Sequence, residues 1–211
     1  MKKEYAGKPG TIVGFDEAGR GPLAGPVYAA AVILPPNFPL ELLNDSKKLS
    51  EKRREEAAAI IMKDAVWGIA SAEAVEIDRI NILQASLLAM TRAWEALCAA
   101  FPGILRKPEK NKNDCIGAAE NFTAIVDGLY CPKLPIPCHA LVKADAKVPE
   151  VMAASILAKT ARDRMMIRYS WFYPEYGYEK HKGYPTKAHR EAIARYGPSP
   201  IQRESFAVKE L

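Results

Sequence analysis

Four acidic residues are candidates for a functional site because of where they lie in the sequence. Asp16 and Glu17 are adjacent and follow a short apolar run, Asp127 ends a second apolar run, and Asp145 comes soon after a third extended stretch. An adjacent Asp-Glu pair by itself is more typical of a solvated acidic turn, because carboxylates are rarely buried without a partner. The glycines that follow Glu17 favour a functional site instead, because they let the chain bend beside the carboxylates.

These carboxylates suit divalent cations. Brought together without matching positive charge, they would repel one another and raise each other's pKa. Mg²⁺ relieves such repulsion because it prefers oxygen ligands, and two ions about 3.5 to 4 Å apart can hold both the attacking and the leaving oxygen of a phosphodiester. The pattern alone predicts a metal-dependent phosphoryl-transfer enzyme. Two-metal hydrolysis of a nucleic-acid backbone is the leading hypothesis.

Strands must position the carboxylates, since each follows an apolar or extended run. In open α/β sheets, ligands gather beyond the carboxyl ends of the strands. We therefore expect Asp16, Glu17, Asp127 and Asp145 to converge although they lie far apart in the sequence. Because neighbouring side chains on a regular strand point to opposite faces, we also expect the first strand to end or bulge at Asp16 and Glu17.

The glycine loop after these carboxylates matches neither of two common phosphate-binding motifs. Gly19, Gly21 and Gly25 have the spacing G-x-G-x-x-x-G, which lacks the lysine and serine or threonine of a P-loop. The following segment, residues 27–34, is typical of a strand and not of the helix that a dinucleotide site requires. It predicts an antiparallel return strand.

The rest of the chain alternates between strand and helix patterns. Helices are predicted over residues 51–62 with Ser50 as N-cap, from residue 74 onward, from Pro149 onward, and after Thr186. Residues 101–121 predict a long surface loop. We expect an α/β protein with a catalytic domain over residues 1–170 and a C-terminal helical extension, residues 171–211, packed on it.

Residues 16–27, D-E-A-G-R-G-P-L-A-G-P-V, closely resemble the signature of the bacterial ribonuclease HII family. The segments I-N-I-L-Q-A-S (residues 80–86) and Q-R-E-S-F (residues 202–206) are similar to further segments of that family. The resemblance implies a ribonuclease H-like fold, with a mixed five-stranded sheet flanked by helices. It also implies an enzyme that cuts RNA paired with DNA, including a single ribonucleotide embedded in duplex DNA, on the 5′ side of that ribonucleotide.

The resemblance further implies roles for individual residues. The family's ligands for two divalent ions, Mg²⁺ or Mn²⁺, correspond to Asp16, Glu17, Asp127 and Asp145. Its ribonucleotide-sensing loop corresponds to Gly19, Arg20 and Gly21, and its sugar-stacking tyrosine to Tyr184. Its contacts to the duplex correspond to Lys47 and Asn81. Local explanations stay open for three of them. In these alternatives, Lys47 is a solvated lysine in a turn, Asn81 is a polar residue with only a local role at the start of a helix, and Tyr184 is a tyrosine of the core.

Composition sets wider bounds. The 211 residues can bury a full core, and the formal charge of +5 suits an anionic partner without requiring one. We expect nucleic acid as the partner, either an RNA/DNA hybrid or duplex DNA containing ribonucleotides. The polar start of the chain and the lack of a long apolar run predict a cytoplasmic protein without membrane contact. We also expect a monomer with reduced, mostly buried cysteines.

Two other functions fit the same residues. One is another metal-dependent nuclease of this fold, such as a junction resolvase, although the Gly-Arg-Gly loop argues against it. The other is a non-catalytic nucleic-acid-binding protein, in which the four acids are surface charges.

Overall fold

The computed structural model describes residues 10–43, 49–102 and 121–207. The strands are β1 (Thr11–Ala18), β2 (Val27–Ile33), β3 (Val66–Ala72), β4 (Phe122–Asp127) and β5 (Cys138–Leu141). They form one sheet in the order β3-β2-β1-β4-β5. β2 is antiparallel to β1 and β3, whereas β4 is parallel to β1 and β5. The predicted mixed five-stranded sheet is confirmed, and β1, β4 and β5 direct their carboxyl ends to the same edge.

Helices cover both faces of the sheet. They are α1 (Glu51–Asp64), α2 (Ala74–Ala100), α3 (Pro149–Phe172), α4 (Tyr178–His181) and α5 (Lys187–Tyr196), with short 3-10 turns at Leu40–Leu42, Ala144–Ala146 and Pro174–Tyr176. The predicted caps are confirmed. The Ser50 hydroxyl accepts from the Arg53 amide at 3.3 Å, and the Thr186 hydroxyl accepts from the His189 amide at 3.3 Å.

The core lies in two layers because β1 and β2 are buried on both faces. Val13 and Phe15 belong to the cluster that includes α2, whereas Ala30 and Val32 belong to the cluster that includes α1 and α3. On the α3 side, β1 carries Gly14, where an added Cβ would lie 2.2 Å from the Glu150 carbonyl carbon. The two elements therefore pack backbone to backbone.

The segment after α3 packs against the glycine loop. Ala24 belongs to a third buried cluster, whose other members come from α3 and the segment beyond it. The Gly25 amide donates to the Ile201 carbonyl and the Arg203 amide donates to the Leu23 carbonyl. The predicted division at residue 170 falls inside the last turn of α3. The organisation into two parts stays a prediction.

Two simpler expectations can be compared with the described part of the chain. None of its helices is both long and apolar enough to cross a membrane. Its cysteines are free, but Cys98 and Cys138 are only partly buried and Cys131 is exposed. The expectation of mostly buried thiols is therefore wrong for these three. Cys138 begins the edge strand β5 and Cys131 lies in the connection before it, where one side of the chain faces solvent.

Candidate active site

Three of the four predicted carboxylates meet at the edge where β1, β4 and β5 end. Asp16, Asp127 and Asp145 each place a carboxylate oxygen within 4.8 Å of the other two. Asp16 lies in β1, Asp127 ends β4, and Asp145 lies in the 3-10 turn that follows β5. The parallel alignment of these strands brings Asp16 next to two residues that lie more than 100 positions further along the chain.

The local pairing of β1 explains how Asp16 reaches this edge. β1 pairs with β4 up to Phe15 and Val126, but its pairing with β2 continues to Ala18 and Tyr28. The expectation that the strand ends at Asp16 and Glu17 is therefore wrong in detail. Only the β4 side of the strand opens there, because β4 ends one residue after Val126.

Hydrogen bonds fix two of these carboxylates. Asp127 Oδ1 accepts from the Ala144 amide at 2.8 Å, which ties the end of β4 to the turn that carries Asp145. Asp16 Oδ1 accepts from the Glu17 amide at 2.7 Å. The N-cap of α3 is Val148, so Asp145 is not the capping residue of that helix.

The electrostatics of the cluster favour a cation. Asp16 is only 5% exposed, and burial, followed by the charges of Glu17 and Asp127, raises its pKa well above the usual value. A hydrogen bond with Ser155 of α3 partly opposes this rise. Burial also raises the pKa of Glu17, whereas the nearby Arg20 guanidinium lowers it. Repelling carboxylates of this kind indicate the use of a divalent metal.

Glu17 lies beside the cluster and forms an ion pair across the loop. Its Oε1 atom is 3.2 Å from Arg20 Nη1, and the Arg20 side chain is half exposed. Glu17 and Asp127 line the same cavity, which has a volume of about 580 Å³. Glu17 therefore shares a cavity with Asp16 and Asp127 but lies outside the group of three, and its carboxylate pairs with a cation of the glycine loop.

The same cavity also has a basic wall. Its charged lining consists of Arg20, Arg54, Lys159, Lys180 and Lys182. Asp163 orders two of these cations, because its carboxylate accepts from Arg54 Nη2 at 3.1 Å and from Lys159 Nζ at 2.7 Å. A cavity lined by both carboxylates and cations can hold both metal ions and the phosphates of a substrate.

Several lining residues were not singled out from the sequence as site residues. Arg54 and Asp163 are 109 positions apart, so no spacing rule connects them. Lys180 and Lys182 belong to a polar segment whose sequence does not indicate that it lies beside the carboxylates. A weak signal existed at Lys159 and Asp163, since an i, i+4 pair of opposite charges on a helix lies on one face.

Tyr184 and the glycine loop also line the cavity. The tyrosine is 40% exposed, so it is not a core residue. A Cβ added to Gly21 would lie 3.7 Å from Tyr184 Cε1, and the Arg162 guanidinium lies 5.8 Å from the ring centroid. The ring therefore lies beside the loop and is partly exposed in the cavity.

Asn81 and Lys47 differ from the other predicted residues. Asn81 has a left-handed backbone (φ 66) at a kink in α2, and its Oδ1 accepts from the amides of Leu83 at 3.0 Å and Gln84 at 3.1 Å. It thus has the local capping role that the sequence left open, and a contact with the duplex stays a prediction. Lys47 lies outside the described residues.

Comparisons with known proteins agree with this geometry. The family model for Ribonuclease HII matches residues 13–209. A ribonuclease HII of Treponema denticola is 59% identical over 204 residues, which cover 95% of this chain and 100% of the relative. The crystal structure of ribonuclease H2 from Pyrococcus horikoshii has a TM-score of 0.66 at 25% identity and covers 94% of both chains.

A second solved structure is similar in fold alone. Bst-RNase HIII in complex with Mn²⁺ has a TM-score of 0.71 at 19% identity, covering 97% of this chain and 69% of that one. The match of the family model over most of the chain and the identity of the bacterial relative both point to the same family. The chain therefore belongs to the ribonuclease HII family and is a metal-dependent endoribonuclease of the ribonuclease H type.

Proposed function

We propose that this enzyme nicks duplex DNA on the 5′ side of a single embedded ribonucleotide and also hydrolyses the RNA strand of RNA/DNA hybrids. The observation that carries the proposal is one cavity that joins Asp16, Glu17 and Asp127 to the glycine loop and to Tyr184. Carboxylates alone would suit any metal-dependent nuclease. A loop and a ring beside them supply the means to distinguish one sugar from another.

The carboxylates would hold two divalent ions, Mg²⁺ or Mn²⁺. Asp16, Asp127 and Asp145 offer oxygen ligands within 4.8 Å of one another, and oxygen is the ligand that both ions prefer. Glu17 would complete the set from the cavity that Asp16 and Asp127 also line. When bound, the two ions supply activation of the attacking water and stabilisation of the departing 3′ oxygen. The products are a 5′-phosphate on the ribonucleotide and a 3′-hydroxyl on the preceding nucleotide.

The glycine loop would recognise the 2′-hydroxyl, which distinguishes ribose from deoxyribose. Backbone groups of Gly19, Arg20 and Gly21 can approach a sugar closely because two of these residues lack a side chain. Tyr184 would pack on the next sugar on the 3′ side, where a deoxyribose fits the ring better than a ribose. This division explains a preference for a single ribonucleotide followed by DNA.

The basic wall would bind the phosphates on either side. Lys159, Lys180 and Lys182 line the cavity, and contacts of this kind fix the register of a duplex without reading its sequence. Lys47 and Asn81 remain predicted contacts to the duplex. We also propose that the enzyme acts as a monomer in the cytoplasm, which size-exclusion chromatography and cell fractionation test.

A panel of four substrates tests the proposed function. With Mg²⁺, we expect nicking of a duplex with one ribonucleotide and cleavage of a continuous RNA/DNA hybrid. The same sequence as all-DNA duplex should stay intact. Cleavage of a four-way DNA junction in preference to both RNA-containing duplexes would identify a resolvase, and binding without any cleavage would identify a non-catalytic protein.

A further inference from the structure

Arg203 is a fully buried arginine whose guanidinium binds the backbone of the glycine loop. Its exposure is 0%, and its guanidinium donates to four carbonyl oxygens of residues 19–25. These bonds are Nη2 to Gly19 O (2.6 Å), Nη1 to Arg20 O (3.0 Å), Nη1 to Pro22 O (2.8 Å) and Nε to Gly25 O (2.9 Å). All three nitrogens of the guanidinium therefore hold the loop backbone.

Burying this cation is costly. Burial, together with the charge of Arg162, lowers the pKa of Arg203 to about 9. The hydrogen bonds of the guanidinium run to carbonyl oxygens and not to a carboxylate, so its charge is not neutralised by them. An apolar side chain would avoid this cost but would leave four carbonyl oxygens of the loop without a donor. The planar guanidinium therefore fixes the backbone geometry of the loop.

The orientation of the loop peptides follows from these bonds. In a trans peptide the C=O and the next N–H point in opposite directions, and the described residues contain no cis peptide. Because the carbonyl oxygens of Gly19 and Arg20 point toward Arg203, the N–H groups of Arg20 and Gly21 point away from it. Neither amide has an acceptor among the described residues.

A neighbouring peptide indicates the direction that these amides take. Pro22 O also points to Arg203, and the amide of the same peptide, Leu23 N, donates to Gly183 O at 2.8 Å. Gly183 directly precedes Tyr184, which lines the cavity. The amides of Arg20 and Gly21 therefore lie on the Tyr184 side of the loop.

We infer that Arg203 is a positioning residue for ribonucleotide recognition: it holds two loop peptides so that the amides of Arg20 and Gly21 face the 2′-hydroxyl of the substrate. The inference rests on the proposed function, because it assigns to Arg203 the orientation of the loop that reads the sugar. Arg203 does not touch the substrate. Its effect on the reaction passes through the backbone of the loop.

The substitution Arg203→Lys tests this inference. A lysine keeps the charge, but its single ammonium cannot donate to four carbonyls in the fixed planar arrangement of a guanidinium. We expect the single-turnover rate of nicking at one ribonucleotide to fall by about 100-fold, the loss typical of misplacing a preorganised donor. Because phosphate contacts carry most of the affinity, the dissociation constant measured with Ca²⁺ should change by less than about threefold.

Asp78→Ala is the matched control. The Asp78 carboxylate accepts from the amides of Glu204 at 3.0 Å and Ser205 at 2.9 Å, so the substitution loosens the segment that follows Arg203 and removes a nearby negative charge, but it keeps all four hydrogen bonds of the guanidinium. We expect this variant to melt at a lower temperature and to nick within about threefold of the wild-type rate, since exposed hydrogen bonds of this kind contribute to stability alone. An equal loss of rate in both variants would show that only attachment of the tail matters and would overturn the inference.

The remaining outcomes are also decisive. Wild-type nicking together with an unchanged rate in Arg203→Lys defeats this inference alone, whereas absence of nicking by the wild type defeats the proposed function. If the lysine variant does not fold, hydrogen exchange of the wild-type enzyme decides. The amides of Arg20 and Gly21 should exchange more slowly on the ribonucleotide duplex than on an all-DNA duplex of the same sequence, and equal exchange would overturn the inference.

Discussion

Gly19→Ala is the perturbation whose cost follows most directly from the structure. Gly19 has a φ of +102°, which side chains rarely adopt, and an added Cβ would lie 2.0 Å from Arg162 Nε and 2.4 Å from Arg162 Cδ. Arg162 is 1% exposed and donates to Pro26 O at 3.1 Å and Ala24 O at 3.3 Å. It can move aside only by breaking both bonds.

The expected loss of stability has two parts. The strained backbone costs about 1 to 3 kcal/mol. Two hydrogen bonds from a buried charged group contribute about 1.5 to 3 kcal/mol each. Together they predict a loss of about 4 kcal/mol or more, which is a large fraction of the stability of a typical domain, about 5 to 15 kcal/mol.

Gly197→Ala provides the control for the backbone strain. Gly197 has a φ of +80°, but a Cβ added there meets nothing within 4 Å. Urea unfolding of the two variants should give free energies that differ by about 3 kcal/mol, which is the part due to Arg162. Similar losses in both variants would refute the argument that the loop rests directly on Arg162.

Three further predictions concern the site and its surroundings. Asp16→Asn should abolish cleavage and keep or strengthen binding to a hybrid duplex, because it removes a metal ligand and a negative charge together; substantial turnover would remove Asp16 from the site. Tyr184→Ala should lose about 5- to 150-fold of kcat/KM on a single ribonucleotide, from a stacking contact of about 1 to 3 kcal/mol, and far less on a continuous hybrid, while Tyr184→Phe keeps most activity; equal losses on both substrates would contradict the stacking role. Burial lowers the pKa of His189 to about 4, so the unfolded chain binds more protons and stability should fall by about 2 kcal/mol from pH 7.5 to pH 5. In urea unfolding, the stability of His189→Gln should change much less between these two pH values than that of the wild type. An equal loss of stability in both proteins would contradict the assignment to His189.

The convergence of the carboxylates was predictable from the sequence. Each of Asp16, Asp127 and Asp145 follows a strand pattern, and parallel strands place their carboxyl ends on one edge. The exact end of β1 was not predictable. Whether Asp16 is still paired depends on where its neighbours β2 and β4 stop, and those ends lie elsewhere in the chain.

The two arginines that contact the backbone of the glycine loop could not be predicted from the local sequence. Charged residues are seldom fully buried, so a sequence gives no reason to place Arg162 and Arg203 under the loop. Arg203 lies 184 positions from Gly19, to which it donates. The kink at Asn81 was equally hidden, because the apolar stripe of α2 continues through it and only the backbone angles reveal it.

The position of the nick is the sharpest test of the proposed specificity for a single ribonucleotide. A duplex that carries one ribonucleotide, labelled at the 5′ end of that strand, is incubated with the enzyme and Mg²⁺, and the product is sized at single-nucleotide resolution. The proposed function predicts one product that ends in a 3′-hydroxyl immediately 5′ of the ribonucleotide, and Asp16→Asn prepared in parallel should give none. A nick at any other position, or equal nicking of the all-DNA duplex, would contradict it.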